Sequence, residues 1–441
     1  MNYSIAKIGD ILNAKVQGEG LVTGVSFNSR QVVPGDLFVA LVAENDGHQY
    51  IQDALQHGAA AVLVDEHHSI AVDVPAIIVP DTLVALQQLG AFRRQELNPK
   101  VVAITGSNGK TTTKDMTAAV VGRQFKTFKT PENFNNEIGV PMTLLTMPAD
   151  TEVLVVELGM DRPGQLTQLS KLVVPDVAII TMIGEAHIAF FQTRANIAKA
   201  KLEIVAGLKP DGVLCIPYDE PLLTQAKVAQ RVLLFGDGVS DIQGDATTTQ
   251  FTYQQTQFAI PLIGGYNIMN ALAAVSAGIL LHIDLNDAVL ALQTFDLTKN
   301  RTERLVTARG VHLISDVYNS NPTAVAAVLA TLKAIPAPHK YVVLGDMLEL
   351  GEQAATLHAD LAQAILAANV TGVYLVGQLF TQNTAPILAP YFDSEHLHLY
   401  DTHQLDQLTA DLETLGDAND VILLKASHGI HLENVVNALV Q

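Results

Sequence analysis

Residues 101–116 read VVAITGSNGKTTTKDM, and their spacing sets the reading of everything around them. Val101 to Ile104 is a short, mostly β-branched run of the kind that fills a buried parallel strand, and TTTKDMTAAVVGRQF behind it has the apolar spacing of a helix. Gly106 and Gly109 therefore fall on a strand-to-helix turn. Glycines there let backbone N–H groups close on an oxyanion at the positive end of the helix. Lys110 adds a point charge for terminal phosphates, and Thr111 a hydroxyl for Mg²⁺. Gly106, Ser107, Asn108, Gly109, Lys110, Thr111 and Thr112 thus form a candidate phosphate cradle. It is the short Gly-x-x-Gly-Lys-Thr form, because Ile104 stands where the full P-loop has glycine. ATP or GTP is the expected ligand; the competing reading is an ordinary glycine-rich turn with a surface lysine.

The 441 residues exceed what one core supports and predict two to four domains. The chain is 49% apolar without an unbroken membrane-length run, and its N-terminus, MNYSIAKIGD, lacks a basic segment before an apolar one. A cytoplasmic protein with no membrane insertion is expected. The single cysteine, Cys215, lies in the strand-like VLCIP and reads as a packing residue. A formal charge of −19 disfavours nucleic acid and anionic membranes as partners. Anionic small molecules must then be met locally, by loop N–H groups, a few Lys or Arg, and metal ions.

Composition and periodicity divide the chain into a small α/β domain over 1–98, a nucleotide-binding domain over 99–300 and a third domain over 301–441. In the second, the strands VVAIT, EVLVVELG and DVAIIT alternate with helical segments, the pattern of a mostly parallel sheet. The charged TKNRTERL marks the junction to the third, where VHLISDVY, KYVVLGDM, GVYLVGQ, LHLYD and DVILLKAS predict a Rossmann-like doubly wound sheet.

Candidate chemistry gathers at the carboxyl ends of these strands. Glu157 ends EVLVVELGM, and Glu185 and His187 follow DVAIITMI, so Glu157 and His187 are candidate metal ligands. In TRANIAKAKLEIVAGL, the residues Ile197, Ile204, Val205 and Leu208 share one helical face, and Lys201 falls on it while Lys199 does not. An inward lysine is costly unless paired or chemically altered; the plainer reading is a side chain that snorkels to the edge. Asn267 and Asn270 open a helix, where their amides could read an adenine edge or cap the helix. DVYNSNP, holding Asp316, Tyr318, Asn319 and Asn321, again follows a strand and precedes a helix, a placement that turn formation alone could explain.

In this order, ITGSNGKTTT, Glu157, His187, Lys201, the GxxNxxNAxAA element at Gly264 to Ala274, Arg301 and Asp316 resemble the Mur ligase family of ATP-dependent peptide ligases, essentially end to end. Within the family, NSRQVVPGDLFVAL with Asp46-Gly47-His48, NFNNEIGVPMTLL, IGEAH, DVYNSNP and VLGDMLELG imply UDP-N-acetylmuramoyl-tripeptide and D-alanyl-D-alanine (D-Ala-D-Ala) as substrates. The resemblance implies ATP and two Mg²⁺ ions, held by Thr111, Glu157, His187 and a CO₂-derived carbamate on Lys201, an oxygen ligand where an ammonium could not serve. It casts Lys110, Lys201, His187 and Arg301 as catalytic, and adds Asn267, Asn270, Arg301 and Asp316 to the ATP site. The nucleotide sugar is expected near Ser29, Arg30, Asp46, Gly47 and His48, and the muramyl peptide near Asn133, Asn135 and Asn136. Tyr318, Asn319, Lys425 and Ser427 complete the substrate candidates. Three positions depart from the family pattern: Tyr266 replaces a histidine, Asn28-Ser29-Arg30 replaces DSR, and Lys425-Ala426-Ser427-His428 replaces KGSR. A monomer that closes its domains before chemistry is expected. The competing readings are a ligase with another amino-acid acceptor, a P-loop ATPase with a C-terminal binding module, and an idle scaffold.

Overall fold

The strand Lys100–Thr105 is buried along its whole length after Lys100 and pairs in parallel with Val153–Glu157 on one side and Val177–Ile180 on the other. This computed structural model describes residues 1–68, 71, 73–244, 247–298 and 303–440. The central sheet has six parallel strands in the order Arg231–Phe235, Val213–Pro217, Val177–Ile180, Lys100–Thr105, Val153–Glu157 and Thr127–Lys129. Helices cover both faces, so its inner strands read as unbroken Val, Ile and Leu runs. The helices Lys110–Val121 and Tyr266–Leu280 pack together on one face. Cys215 lies inside this core, where burial pushes its thiol up to about 12. The cradle loop leaves the sheet where strand order reverses, which opens a crevice at the strands' carboxyl ends.

An antiparallel sheet of Val239–Gly244, Thr249–Tyr253 and Thr256–Ile260 is appended to this domain and was not expected from the sequence. Its tight turn runs through Gln254 and Gln255 at φ of 48° and 63°, left-handed positions that Asn-Gly or Asp-Gly usually mark.

The C-terminal sheet runs Glu303–Val306, His312–Asp316, Val421–Lys425, Lys340–Gly345, Gly372–Val376 and Leu397–Tyr400. It is parallel except for the Glu303–Val306 edge, which makes it mixed. The N-terminal sheet, in the order Lys15–Gln17, Ala76–Val79, Ala61–Asp65, Asp36–Val39 and Gly24–Ser26, is parallel except for its first strand. Its core takes Met142 and Leu145 from the helix Gly139–Thr146, which lies across the helix Thr82–Leu97. Packing there crosses the domain division read from the sequence. A Cβ on Gly90 would meet the Cα of Pro141 at 3.0 Å, so glycine is what lets these two helices approach.

The predicted helix around Lys201 is shorter than its periodicity suggested: it spans Arg194–Lys201 and tightens to a 3₁₀ turn over Leu202–Ala206. Lys201 is nevertheless buried and Lys199 exposed, as the face predicted. Among the described residues no helix is long and apolar enough to cross a membrane.

Candidate active site

Two backbone positions make the cradle. Gly106 has φ 154°, and a Cβ there would sit 1.8 Å from Thr181 Oγ1, whose hydroxyl donates to the carbonyl of Asn108 at 2.5 Å. Gly109 has φ 80° and precedes the helix Lys110–Val121; a Cβ there would strike Asn270 Oδ1 at 2.3 Å. The Lys110 ammonium folds back on its own loop, donating to the carbonyls of Gly106 at 2.9 Å and Ser107 at 3.5 Å.

Two clefts meet at this loop and share Asn108, Gly109 and Asn319. The smaller, of about 340 Å³, is lined by Thr112, Thr181, Tyr266, Met269, Asn270 and Asp316, among others. The larger, of about 460 Å³, is lined by Ser107, Lys110, Thr111, Glu157, His187 and Tyr318, with further polar groups around them. Thr111 and Thr112 therefore serve opposite sides of one wall. Asn270 accepts from Thr113 Oγ1 at 3.2 Å and donates to Asn267 at 2.9 Å, while Asn267 donates to the Ile263 carbonyl at 2.8 Å. Asn270 lines the smaller cleft and Asn267 stands behind it, holding Asn270 in place.

Glu157 is 1% exposed; its Oε1 accepts from Asn135 Nδ2 at 2.8 Å, while its buried Oε2 has no partner. His187, at φ 62°, turns its ring toward the same cleft; its Nδ1 is 2.5 Å from Glu349 Oε2 but outside hydrogen-bonding angles. Lys201 is 2% exposed and has no hydrogen bond or ion pair among the described residues. Burial, and secondarily the charge of Lys110, hold its amine well below the usual lysine range. An orphaned carboxylate oxygen and an imidazole on the wall of the larger cleft suit a metal-binding corner completed by added oxygen ligands, whereas Lys201 lines neither cleft.

The C-terminal domain closes over this corner. Asn108 and Asn321 exchange amide hydrogen bonds at 3.1 and 2.7 Å. Glu185 Oε2 accepts from the Thr323 N–H at 3.2 Å and hydroxyl at 2.6 Å, and the Ala189 N–H donates to the Glu349 carbonyl at 3.1 Å. Lys425, 1% exposed, binds Asp316 Oδ2 at 2.7 Å and the Asn319 carbonyl at 2.8 Å. It lines the smaller cleft with Asp316, whereas Ser427 and Tyr318 line the larger. Tyr318 stacks on His428 at 5.7 Å, where the family pattern has arginine. Arg301 lies outside the described residues. The segment leading to it is pinned: Asp115 Oδ2 accepts from the Thr298 N–H at 2.8 Å and hydroxyl at 2.9 Å.

Of the peptide candidates, Asn135 and Asn136 line the larger cleft and Asn133 does not. Ser29, Arg30, Asp46, Gly47 and His48 line neither cleft. The segment bearing Ser29 and Arg30 approaches the peptide loop through Phe27 and Phe134, whose ring centres are 6.4 Å apart. Asp46 and His48 close instead into a cluster with Asp65 and His68. Sequence reasoning missed Thr181, Asp161, Gln165 and Glu349 as lining residues. Thr181 and Glu349 stood at strand ends already singled out; nothing marked Asp161 or Gln165.

The chain matches the profiles of the Mur ligase family catalytic domain over 21–94, the Mur ligase middle domain over 104–278 and the Mur ligase glutamate ligase domain over 300–428. It is 39% identical to the UDP-N-acetylmuramoyl-tripeptide–D-alanyl-D-alanine ligase of Bacillus subtilis, over 98% of this chain and 96% of that one. Its fold is similar to a crystal structure of MurF from Acinetobacter baumannii (TM-score 0.88, 29% identity, 100% and 99% of the chains). It is also similar to the MurF ligase of Thermotoga maritima in complex with ADP (TM-score 0.82, 27% identity, 95% and 97%). With a phosphate loop between two clefts, an orphaned acid beside it and full-length relatives of this kind, the chain belongs to the Mur ligase family.

Proposed function

We propose that this chain is an ATP-dependent ligase that joins D-Ala-D-Ala to UDP-N-acetylmuramoyl-tripeptide, releasing ADP and phosphate, in peptidoglycan precursor synthesis in the cytoplasm. The observation that carries the reading is the wall between the clefts: Asn108 and Gly109 face both, so a nucleotide in the smaller one presents its terminal phosphate to the larger.

A peptide carboxylate resists attack by an amine, so its oxygen first takes the γ-phosphoryl group of ATP and ADP leaves. The D-Ala-D-Ala amine then attacks the acyl phosphate carbon and phosphate departs. Lys110 leaves the Gly106 carbonyl to follow the β- and γ-phosphates, and the loop N–H groups hold them as charge shifts. Tyr266 and Asn270 bound the adenine end of the smaller cleft, and Asp316, fixed by Lys425, borders its ribose side. Arg301, from the junction, is assigned to phosphate. In the larger cleft, Asn135 and Asn136 face the peptide, and Asn319 and Ser427 the incoming dipeptide. The pairing of Asn108 with Asn321 excludes water from the acyl phosphate.

Mg²⁺, two ions in this reading, would be held by Thr111, Glu157, His187 and a carbamate on Lys201, and supplies positive charge to the phosphate oxygens. The orphaned Glu157 Oε2 supports this donor set, and the burial that holds the Lys201 amine well below the usual lysine range favours the neutral form that combines with CO₂. Residues 1–98 are assigned to the nucleotide sugar through Ser29 and Arg30, 99–300 to ATP and 301–441 to the acceptor, in a protein that acts as a monomer.

The test supplies Mg²⁺, ATP and UDP-N-acetylmuramoyl-tripeptide with D-Ala-D-Ala, or with lysine, diaminopimelate or D-glutamate. Phosphate release and product mass are measured. A UDP-linked pentapeptide formed only with the dipeptide is expected; phosphate release that needs no acceptor, or preference for a single amino acid, overturns the reading.

A further inference from the structure

In the N-terminal domain, away from both clefts, four side chains close on one another. Asp46 Oδ1 is 2.7 Å from His48 Nδ1, and Asp46 Oδ2 is 3.1 Å from His68 Nε2. The two imidazoles stack with ring centres 3.7 Å apart and planes 7° from parallel, and both present a nitrogen to the same carboxylate. The opposite nitrogens face Asp65: His68 Nδ1 is 2.8 Å from Oδ1, and His48 Nε2 is 3.5 Å from Oδ2. One ligand atom from each of Asp46, His48 and His68 lies within 4.8 Å of the others. His48 is 4% exposed, whereas Asp46 and His68 are 30% and 37% exposed, which leaves one side open to solvent.

We propose that Asp46, His48 and His68 form a binding site for one divalent transition-metal ion of the zinc class, with Asp65 orienting both imidazoles from behind. Two imidazole nitrogens and a carboxylate are the donors such ions favour, and three protein ligands with one open position is a common arrangement. A metal-bound histidine usually presents its other nitrogen to a carboxylate, and Asp65 stands there for both rings. Binding at His48 Nδ1 moves that ring's proton to Nε2, and at His68 the ion displaces the Nε2 proton to solvent and leaves Nδ1–H on Asp65 Oδ1. The present hydrogen bond from the Asp65 N–H to His48 Nε2, at 3.2 Å, then gives way to one donated by His48 Nε2 to Asp65 Oδ2. The ion would fasten the loop before the turn Gly47–Tyr50 to the end of the strand Ala61–Asp65. The site differs in kind from the oxygen-rich corner at Glu157 and is independent of the ligase reading.

The test titrates the full chain with Co²⁺ while excess Mg²⁺ and ADP occupy the nucleotide site. Visible absorption and equilibrium dialysis are followed, then a Zn²⁺ chase. One equivalent with nitrogen-ligand absorption bands, displaced by Zn²⁺, is expected. His68→Ala should weaken that equivalent by about a hundredfold or more, and Asp65→Asn by about tenfold. X-ray absorption of the wild-type Zn²⁺ complex should show two imidazoles, a readout that needs no variant. Binding of equal stoichiometry and affinity in wild type and His68→Ala, or a first shell without imidazole, overturns the proposal.

Discussion

The pairing of Asn108 with Asn321 offers a direct measure of what closure contributes. Asn321 is 1% exposed and does two jobs: its Oδ1 caps the helix Pro322–Ala334 by accepting from the Ala324 N–H at 3.0 Å, and its amide exchanges two hydrogen bonds with Asn108 across the domain boundary. Asn321→Ser keeps a capping hydroxyl but is too short to reach Asn108. Two neutral hydrogen bonds are lost, about 2 kcal/mol together. Asn108 borders both clefts, so water can replace its partner and no further desolvation cost is added. Spread over an open–closed equilibrium, that energy is roughly a 30-fold loss of the closed form. Turnover with saturating ATP and UDP-tripeptide should fall by about that factor if the closed form is only marginally favoured. The melting temperature should change little, because no core is touched. Asn108→Ala should give a similar loss, and the double variant little more than either single one. Phosphate release measures the rate, and small-angle scattering with bound nucleotide measures compaction. Activity of Asn321→Ser within about twofold of wild type, with unchanged scattering, would refute the reasoning.

Lys201→Ala should lower turnover by about a hundredfold or more, with partial recovery on adding a small carboxylate, while the exposed Lys199→Ala stays near wild type; a working Lys201→Ala enzyme in CO₂-depleted buffer rules the carbamate out. Gly109→Ala places a Cβ 2.3 Å from Asn270 Oδ1 at φ 80°, so ATP affinity by calorimetry should drop by tenfold or more, about 1.4 kcal/mol. Glu96 would be raised by burial, but hydrogen bonds from Tyr3, Lys7 and Arg93 outweigh that and hold it down to about 2. A depressed carboxylate stabilises above its unfolded value and loses this as pH falls through the folded one. Glu96→Gln should therefore melt lower at pH 7, and the gap should narrow between about pH 4.5 and 2; a constant gap contradicts the account.

What the sequence made legible is what chemistry writes locally. The Gly-x-x-Gly-Lys-Thr loop is set by φ angles at two glycines and by the helix it opens, all within a dozen residues. Lys201 was visible because helical spacing placed it on an apolar face, even though the α-helix ends at that residue. Long-range pairings left no such mark. The Asn108–Asn321 exchange spans 213 residues, and either asparagine alone reads as a turn former. The DGH triplet showed nothing of Asp65 or His68, since their side chains meet through the ends of two loops. Met142 and Leu145 face the N-terminal core because their helix packs against Thr82–Leu97, a contact that neither segment's periodicity encodes. The hairpin at Gln254 and Gln255 was hidden because its turn uses residues that seldom adopt left-handed φ.

Three lysines buried to similar depth near the cradle separate structural burial from chemical use. Lys425 is 1% exposed and is held by Asp316 and a carbonyl, so its charge is matched. Lys114, fully buried, donates to the Thr130 carbonyl at 3.1 Å and stands 3.5 Å from Asp115 Oδ1. That pair ties the helix behind Lys110 to the segment at Thr298, which feeds the domain junction. The Lys201 side chain makes no hydrogen bond or ion pair among the described residues, and the charge that acts on its amine is the like-signed Lys110. An unpaired buried ammonium costs several kcal/mol, more than a marginally stable fold can carry at no gain. Burial holds the amine well below the usual lysine range, which favours the neutral form that carbamate formation requires. Had Lys201 been a structural residue, an acid or a carbonyl should stand beside it as one does beside the other two. The missing partner, more than the burial, is what supports the proposed carbamate at Lys201 over the other two lysines.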